Sequence, residues 1–169
     1  MQLHLRNRKI DGETRWAGTL DAGHLLKERS DIAGWGPLRA DLSVKEAAGA
    51  VEVGGRLELE LALVCSRCLE HVEHKLEIPF REAFVPAAEG TPDAEDDHVH
   101  PVSEDKVDLR PYVEENVLLA LPFVPLCRED CKGLCPECGQ NFNVRECDCR
   151  REEIDPRFSA LEQFFKKET

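Results

Sequence analysis

Residues 57–64 read LELELALV, with leucines alternating against acids and alanine at period two. That alternation predicts a strand whose leucines share one buried face. A second alternating run, VEHKLEIPF over 72–80, follows the segment Cys65-Ser66-Arg67-Cys68. The two runs predict an antiparallel pair with the CSRC segment at its turn. Upstream, 38–44 and 50–53 predict further strands, with the doublet Gly54-Gly55 as a tight turn before the Leu57 strand, and 20–27 predicts a short helix.

The period changes in the second half. Asp108-Leu109-Arg110-Pro111 reads as a helix start, with Asp108 as N-cap and the proline in the first turn, where its missing N–H costs little. Val113, Val117, Leu118 and Leu121 follow at helical spacing, so a helix over 108–121 is expected to pack on the sheet and end near Pro122. Asp155-Pro156-Arg157 starts another by the same logic, with Phe158, Leu161, Phe164 and Phe165 as its apolar stripe, expected to cover the core. The fold class expected is α+β: an antiparallel β-sheet or partly open barrel in the first half, packed by one or two helices, with a C-terminal cysteine-rich zinc knot. The expected division is 1–122 for the β-rich domain and 123–169 for the knot and final helix.

Composition interrupts this picture between Val85 and Asp105, where PAAEGTPDAEDDHVHPVSED holds seven acids, three prolines and no Lys or Arg. The acidic loop 85–105 is expected to be solvated, and His98 and His100 within it to be ordinary surface rather than metal ligands. Over the whole chain 22 Lys and Arg face 34 Asp and Glu, a net charge of −12. A broad basic surface for coating nucleic acid is thereby disfavoured. The charged amino terminus MQLHLRNRKIDGETRW has no apolar run long enough for a signal or a membrane span. A soluble, cytoplasmic protein without a membrane partner is expected.

A reducing compartment makes eight cysteines in 169 residues a matter of metal rather than disulfides. Six of them fall within the 23 residues from Cys127 to Cys149. Cys135-Pro136-Glu137-Cys138-Gly139 has the C-x2-C spacing at which a tight turn aims backbone N–H groups at two sulfurs, and the glycine relieves that turn. Cys147 and Cys149 supply a partner doublet, completing a tetrahedral four-thiolate site for about one zinc per chain. Cys127 and Cys131 have three possible roles: replacing Cys147 or Cys149, joining Cys65 and Cys68 in a second four-thiolate site, or staying free. Spacing does not choose among them.

Enzymatic readings find little support. Cys131, Cys135 and Cys138 match the C-x3-C-x2-C triplet of radical S-adenosylmethionine enzymes, but the 31 residues after Cys138 are too few for their barrel. Neither CSRC nor CPEC opens a helix in a βαβ setting, as a thioredoxin-like pair would. There is no phosphate-cradling glycine motif, no G-x-S-x-G and no H-E-x-x-H.

Taken in order, VCSRCLEHVEH, LRPYVEENVLLALPFVPLC, CREDCKGLCPECGQNFNVRECDC and IDPRFSALEQFF resemble the YceD family of bacterial and plastid proteins from about Leu38 to Phe165. Cys65, Arg67 and Cys68 correspond to the family's C-x-R-C element, and Cys127 through Cys149 to the thiol-rich tail that some members carry. The resemblance implies a non-enzymatic role in accumulation of large-subunit ribosomal RNA. The acidic charge then favours a basic ribosomal protein or a large-subunit precursor particle as partner. Direct ribosomal RNA contact would have to come through Arg128, Lys132, Arg145, Arg150 and Arg151, for which ordinary surface charge is the favoured reading. The competing class is a zinc-ribbon interaction module or regulator unrelated to ribosomes.

Overall fold

The computed structural model describes residues 2–4, 14–47, 49–87, 98–104 and 106–149. The helix expected from Asp155 onward lies outside them. The elements run β1 (Gln2–His4), β2 (Thr14–Leu20), α1 (Gly23–Leu26), β3 (Ile32–Trp35), β4 (Leu38–Ala47), β5 (Ala50–Val64), β6 (His71–Pro86), β7 (Val99–Val102), β8 (Lys106–Asp108) and α2 (Arg110–Ala120). Strands β2, β4, β5, β6 and β7 form one open sheet in that order, with β3 also paired to β5, while β1 and β8 form a separate pair. The sheet is antiparallel throughout except where β7 runs parallel to β6. The α+β expectation therefore holds.

Alternation explains the layers. The inward residues Leu57 and Leu59 of β5 pair across the sheet with buried Ile78 and Leu76 of β6, while toward the hairpin tip Leu61 and Leu63 pair with exposed His74 and with Val72, which packs on the cysteines. Helix α2 closes that face with buried Val113 and Val117, and Leu26 of α1 is fully buried beside them in the same core. Each such leucine or phenylalanine contributes about 1.5–3 kcal/mol by leaving water.

Several local expectations are corrected. Gly54-Gly55 is not a turn: β5 runs straight through it, and the pairings Ser43↔Gly54↔Arg81 and Leu42↔Gly55↔Phe80 continue the ladder. The reason for glycine is close approach, since a Cβ on Gly55 would lie 2.1 Å from the Asp41 carbonyl oxygen. The N-cap of α2 is Leu109; Asp108 ends β8 instead, although its Oδ1 still accepts the Arg110 N–H at 3.1 Å. Leu118 points to solvent rather than onto the sheet. Part of the acidic stretch is regular structure, because β7 sits within it.

His98 is exposed surface as expected, whereas His100 is half-buried and structural. Glu82 faces the core from the same side of β6 as Phe80 and Phe84, and it is buried. His100 Nε2 lies 2.7 Å from its Oε2, Asn116 of α2 donates to its Oε1 at 2.9 Å, and His98 Nδ1 is 3.7 Å away. The carboxylate thus ties β6, β7 and α2 together, satisfying a group that would be costly to bury alone.

Candidate metal centre

The β5–β6 hairpin ends in Cys65-Ser66-Arg67-Cys68-Leu69-Glu70, which returns the chain from Val64 to its partner His71. The turn closes by Cys65 N–H to Glu70 O (2.9 Å) and Leu69 N–H to Cys65 O (2.9 Å). The segment Cys135 to Gln140 repeats that pattern: Cys135 N–H donates to Gln140 O at 2.8 Å and Gly139 N–H to Cys135 O at 2.9 Å. Both turns need a left-handed residue one place after the second cysteine, at φ 72° for Gly139 and φ 59° for Leu69. Glycine adopts that conformation freely, whereas leucine is there at a cost of about 1–2 kcal/mol. The two C-x2-C elements are therefore the same knuckle built twice.

Each knuckle meets a second pair of cysteines. Cys65, Cys68, Cys127 and Cys131 form one group, and Cys135, Cys138, Cys147 and Cys149 another, with all sulfurs of a group within 4.8 Å of one another. All eight are free thiols. Cys65 Sγ to Cys131 Sγ is 3.8 Å and Cys68 Sγ to Cys127 Sγ is 3.6 Å. A disulfide needs roughly 2.05 Å, whereas four sulfurs at about 2.3 Å from a tetrahedral ion stand roughly 3.8 Å apart. The donor set and its spacing fit a metal ion, and each group can hold one.

The inner group, on the hairpin, is nearly all buried: only Cys127 is partly open. Topology makes it, because the hairpin tip and the exit of α2 converge. Ser66 N–H donates to Pro125 O at 2.8 Å, and Arg67 Nη1 donates to Cys131 O at 2.8 Å and Glu129 O at 3.2 Å. Burial pushes the Cys65 thiol up, but N–H groups of Cys68, Arg67 and Cys127 outweigh it and bring the thiol down to about 6. Its neighbour Cys68 is pushed up to about 12, first by burial. Burial likewise opposes ionisation of Cys131, yet the Asn143 amide and the Gly133 N–H hold its thiol below the ordinary value.

The outer group leaves Cys138 and Cys149 exposed. N–H groups of Cys138 and Glu137, aimed at Cys135 as the knuckle requires, lower that thiol to about 7 against the opposition of burial. Sharing with Cys138 and Cys147 pushes Cys149 up to about 12. Both groups thus set thiols with lowered values, Cys65 and Cys131 in one and Cys135 in the other, beside thiols with raised values, and a divalent cation would displace the protons of the latter.

The groups are joined by the loop between Cys138 and Cys147. Asn143, between Cys138 and Cys147, donates Nδ2–H to Cys131 Sγ at 3.2 Å, while its Oδ1 accepts the Lys132 N–H at 2.9 Å and Arg128 Nη2–H at 2.8 Å. Asn141 donates to Glu70 Oε1 at 3.0 Å. The signal was the paired asparagines in GQNFNV, polar residues of fixed reach beside a cysteine turn. Of the basic residues considered for RNA, Arg128 is also 3.3 Å from Asp130, and Arg145 Nε donates to Gln140 Oε1 at 2.8 Å. Arg150 and Arg151 lie outside the described residues. Among the described residues no helix is long and apolar enough to cross a membrane.

Comparison with known proteins places this arrangement in a family. The chain is 34% identical over 155 residues to YlbN of Bacillus subtilis (strain 168), covering 89% of this chain and 87% of that protein. An uncharacterized Mycobacterium tuberculosis protein is 35% identical over 133 residues, covering 78% of this chain and 64% of the relative. The chloroplastic large ribosomal RNA subunit accumulation protein YCED homolog 1 of Arabidopsis thaliana is 36% identical over 78 residues, 43% of this chain and 24% of that protein. No solved structure matches. The family model described as large ribosomal RNA subunit accumulation protein YceD matches residues 53–165, a stretch that takes in both cysteine groups, and the chain belongs to the YceD family.

Proposed function

We propose that this protein is a non-catalytic, cytoplasmic factor that supports accumulation of large-subunit ribosomal RNA by holding a ribosomal protein or a precursor particle, with two structural zinc ions shaping its C-terminal region. The observation that carries the reading is the closure of both cysteine groups within the region that matches the family. Four protein thiolates fill a tetrahedral ion and leave no position for substrate, the pattern of a structural rather than a catalytic metal. Four sulfurs in that geometry select zinc or an iron–sulfur cluster, and the knuckle geometry supports zinc. The sequence alone suggests about one zinc per chain; the second group raises the expected content to two.

The net charge of −12 favours a basic protein or protein–RNA particle over naked RNA. The test is a depletion strain: large-subunit precursor RNA and sucrose-gradient profiles are measured, together with the metal content of the purified chain. Reduced large-subunit RNA and about two zinc per chain are expected. Normal subunit profiles would overturn the biogenesis reading, and absent metal or visible iron absorbance would overturn the zinc assignment.

A further inference from the structure

The exit of α2 presents apolar side chains that the fold leaves uncovered. Phe123 is 95% exposed and Leu119 79%, with Val124 and Leu118 also open. This is not a slack loop. Leu121 is buried just before it, Pro122 O accepts from Arg29 Nη2 at 3.2 Å, and Pro125 is buried with its carbonyl on the Ser66 N–H at 2.8 Å. Cys127 of the inner group follows two residues later. Phe123 and Val124 therefore form a tip clamped at both ends, with Leu118 and Leu119 exposed in the last turn of α2 before it. An apolar patch held in place meets a partner without the entropy cost of ordering it.

We propose that this tip is the seat of a basic polypeptide segment that places an apolar side chain against Phe123. The choice of occupant follows from charge. Glu115 stands one turn before Leu119, Glu28 adjoins the Arg29 anchor, and exposed Glu129 follows the inner cysteine. Of the neighbouring cations, Arg29 is committed to Asp31 and Arg128 to Asp130 and Asn143, leaving exposed Lys27 against Glu28, Glu115 and Glu129. Phosphates would be repelled by this rim, and a second copy of the chain would bring the same acids to it. A Lys- or Arg-rich segment finds both an apolar anchor and complementary charge. That the segment belongs to a ribosomal protein rests on the function proposed above; the docking itself does not.

The experiment is photo-crosslinking in living cells with Phe123→p-benzoylphenylalanine and Leu119→p-benzoylphenylalanine in the full chain. The same residue at exposed Val144 serves as control, and the products are identified by mass spectrometry. The expected result is a product with a strongly basic protein from positions 123 and 119 and not from 144. Introducing Phe123→Ser beside the Leu119 crosslinker is expected to reduce that product at least tenfold while metal content and melting temperature stay at wild type. Products with residues 150–169 of this chain, with a second copy or with RNA overturn the proposal, as does no product. A basic partner captured together with normal large-subunit RNA on depletion keeps the docking and sinks the biogenesis reading. Lowered large-subunit RNA on depletion with no basic product does the reverse.

Discussion

Asn143 links the two cysteine groups through one hydrogen bond, and the worth of that bond can be predicted. Its Nδ2–H reaches Cys131 Sγ at 3.2 Å and its Oδ1 takes the Lys132 N–H at 2.9 Å. Asn143→Asp keeps the acceptor and removes the donor, setting an oxygen against sulfur. A hydrogen bond to a charged group contributes about 1.5–3 kcal/mol, and outer-shell partners of metal ligands change affinity by about 10–100-fold. Inner-group metal affinity in Asn143→Asp is therefore expected to fall by at least about tenfold. The assay is stepwise chelator competition on the cobalt-loaded chain, read from thiolate-to-cobalt absorbance, with the steps assigned using Cys138→Ser to disable the outer group. Cys138→Ser also frees the loop carrying Asn143, so it should weaken the inner site measurably, though by less than Asn143→Asp does. Wild-type affinity in Asn143→Asp, or an inner site indifferent to Cys138→Ser, would refute the linkage.

Other expectations concern the fold and its pH and metal dependence. Gly55→Ala drives a methyl into the Asp41 carbonyl and should cost about 3 kcal/mol in urea unfolding, whereas Gly54→Ala, whose Cβ meets nothing closer than 3.9 Å, should be neutral or gain about 0.5 kcal/mol; equal effects would contradict the close approach. The Arg29 guanidinium holds Asp31 below its ordinary value of 3.8, so the pair stabilises the chain above that pH and the benefit is lost as pH falls through the lowered value. Asp31→Asn should accordingly destabilise by about 0.5–1 kcal/mol at neutral pH and by progressively less as the pH falls below 3.8, and a difference unchanged on acidification would rule out the ion pair. Stripping metal with a chelator should raise hydrogen exchange across 122–149 while the paired strands of residues 57–61 and 74–80 stay protected, because the core they share contains no cysteine, whereas Val72 packs on the inner cysteines; loss of protection throughout would show that the metals hold the sheet together.

The strands were legible because alternation reports a half-buried sheet directly, and 57–64 and 72–80 lie inside β5 and β6. Gly54-Gly55 misled because a glycine doublet marks either a turn or a place where two backbones nearly touch, and only the neighbouring strand tells which. The outer cysteine group was readable from spacing, since its two doublets lie close in the chain. The inner group was not: Cys65 and Cys131 are 66 residues apart, and sheet topology alone joins them. Glu82 carried a local signal that composition hid. It falls in phase with Leu76, Ile78, Phe80 and Phe84 on the buried face of β6, and an acid in that phase demands partners, which His100 and Asn116 supply.

The basic residues around the cysteines bear on the nature of the partner. A zinc ion in four thiolates keeps a charge of about −2, so two filled groups would set two such charges within a short stretch of chain. Arg67 spends its guanidinium on the Cys131 and Glu129 carbonyls, and Arg128 on Asn143 and Asp130. Arg145 is turned to Gln140. These cations position the loops and offset the thiolate charge, so neutralising phosphates would require breaking the contacts that shape the site. RNA binding through this face would therefore loosen the metal groups, while a basic protein on the apolar tip leaves every one of these hydrogen bonds in place. Under the proposed function, the cysteine groups would orient the apolar tip, and of the described cations around them exposed Lys132 would be left for a phosphate.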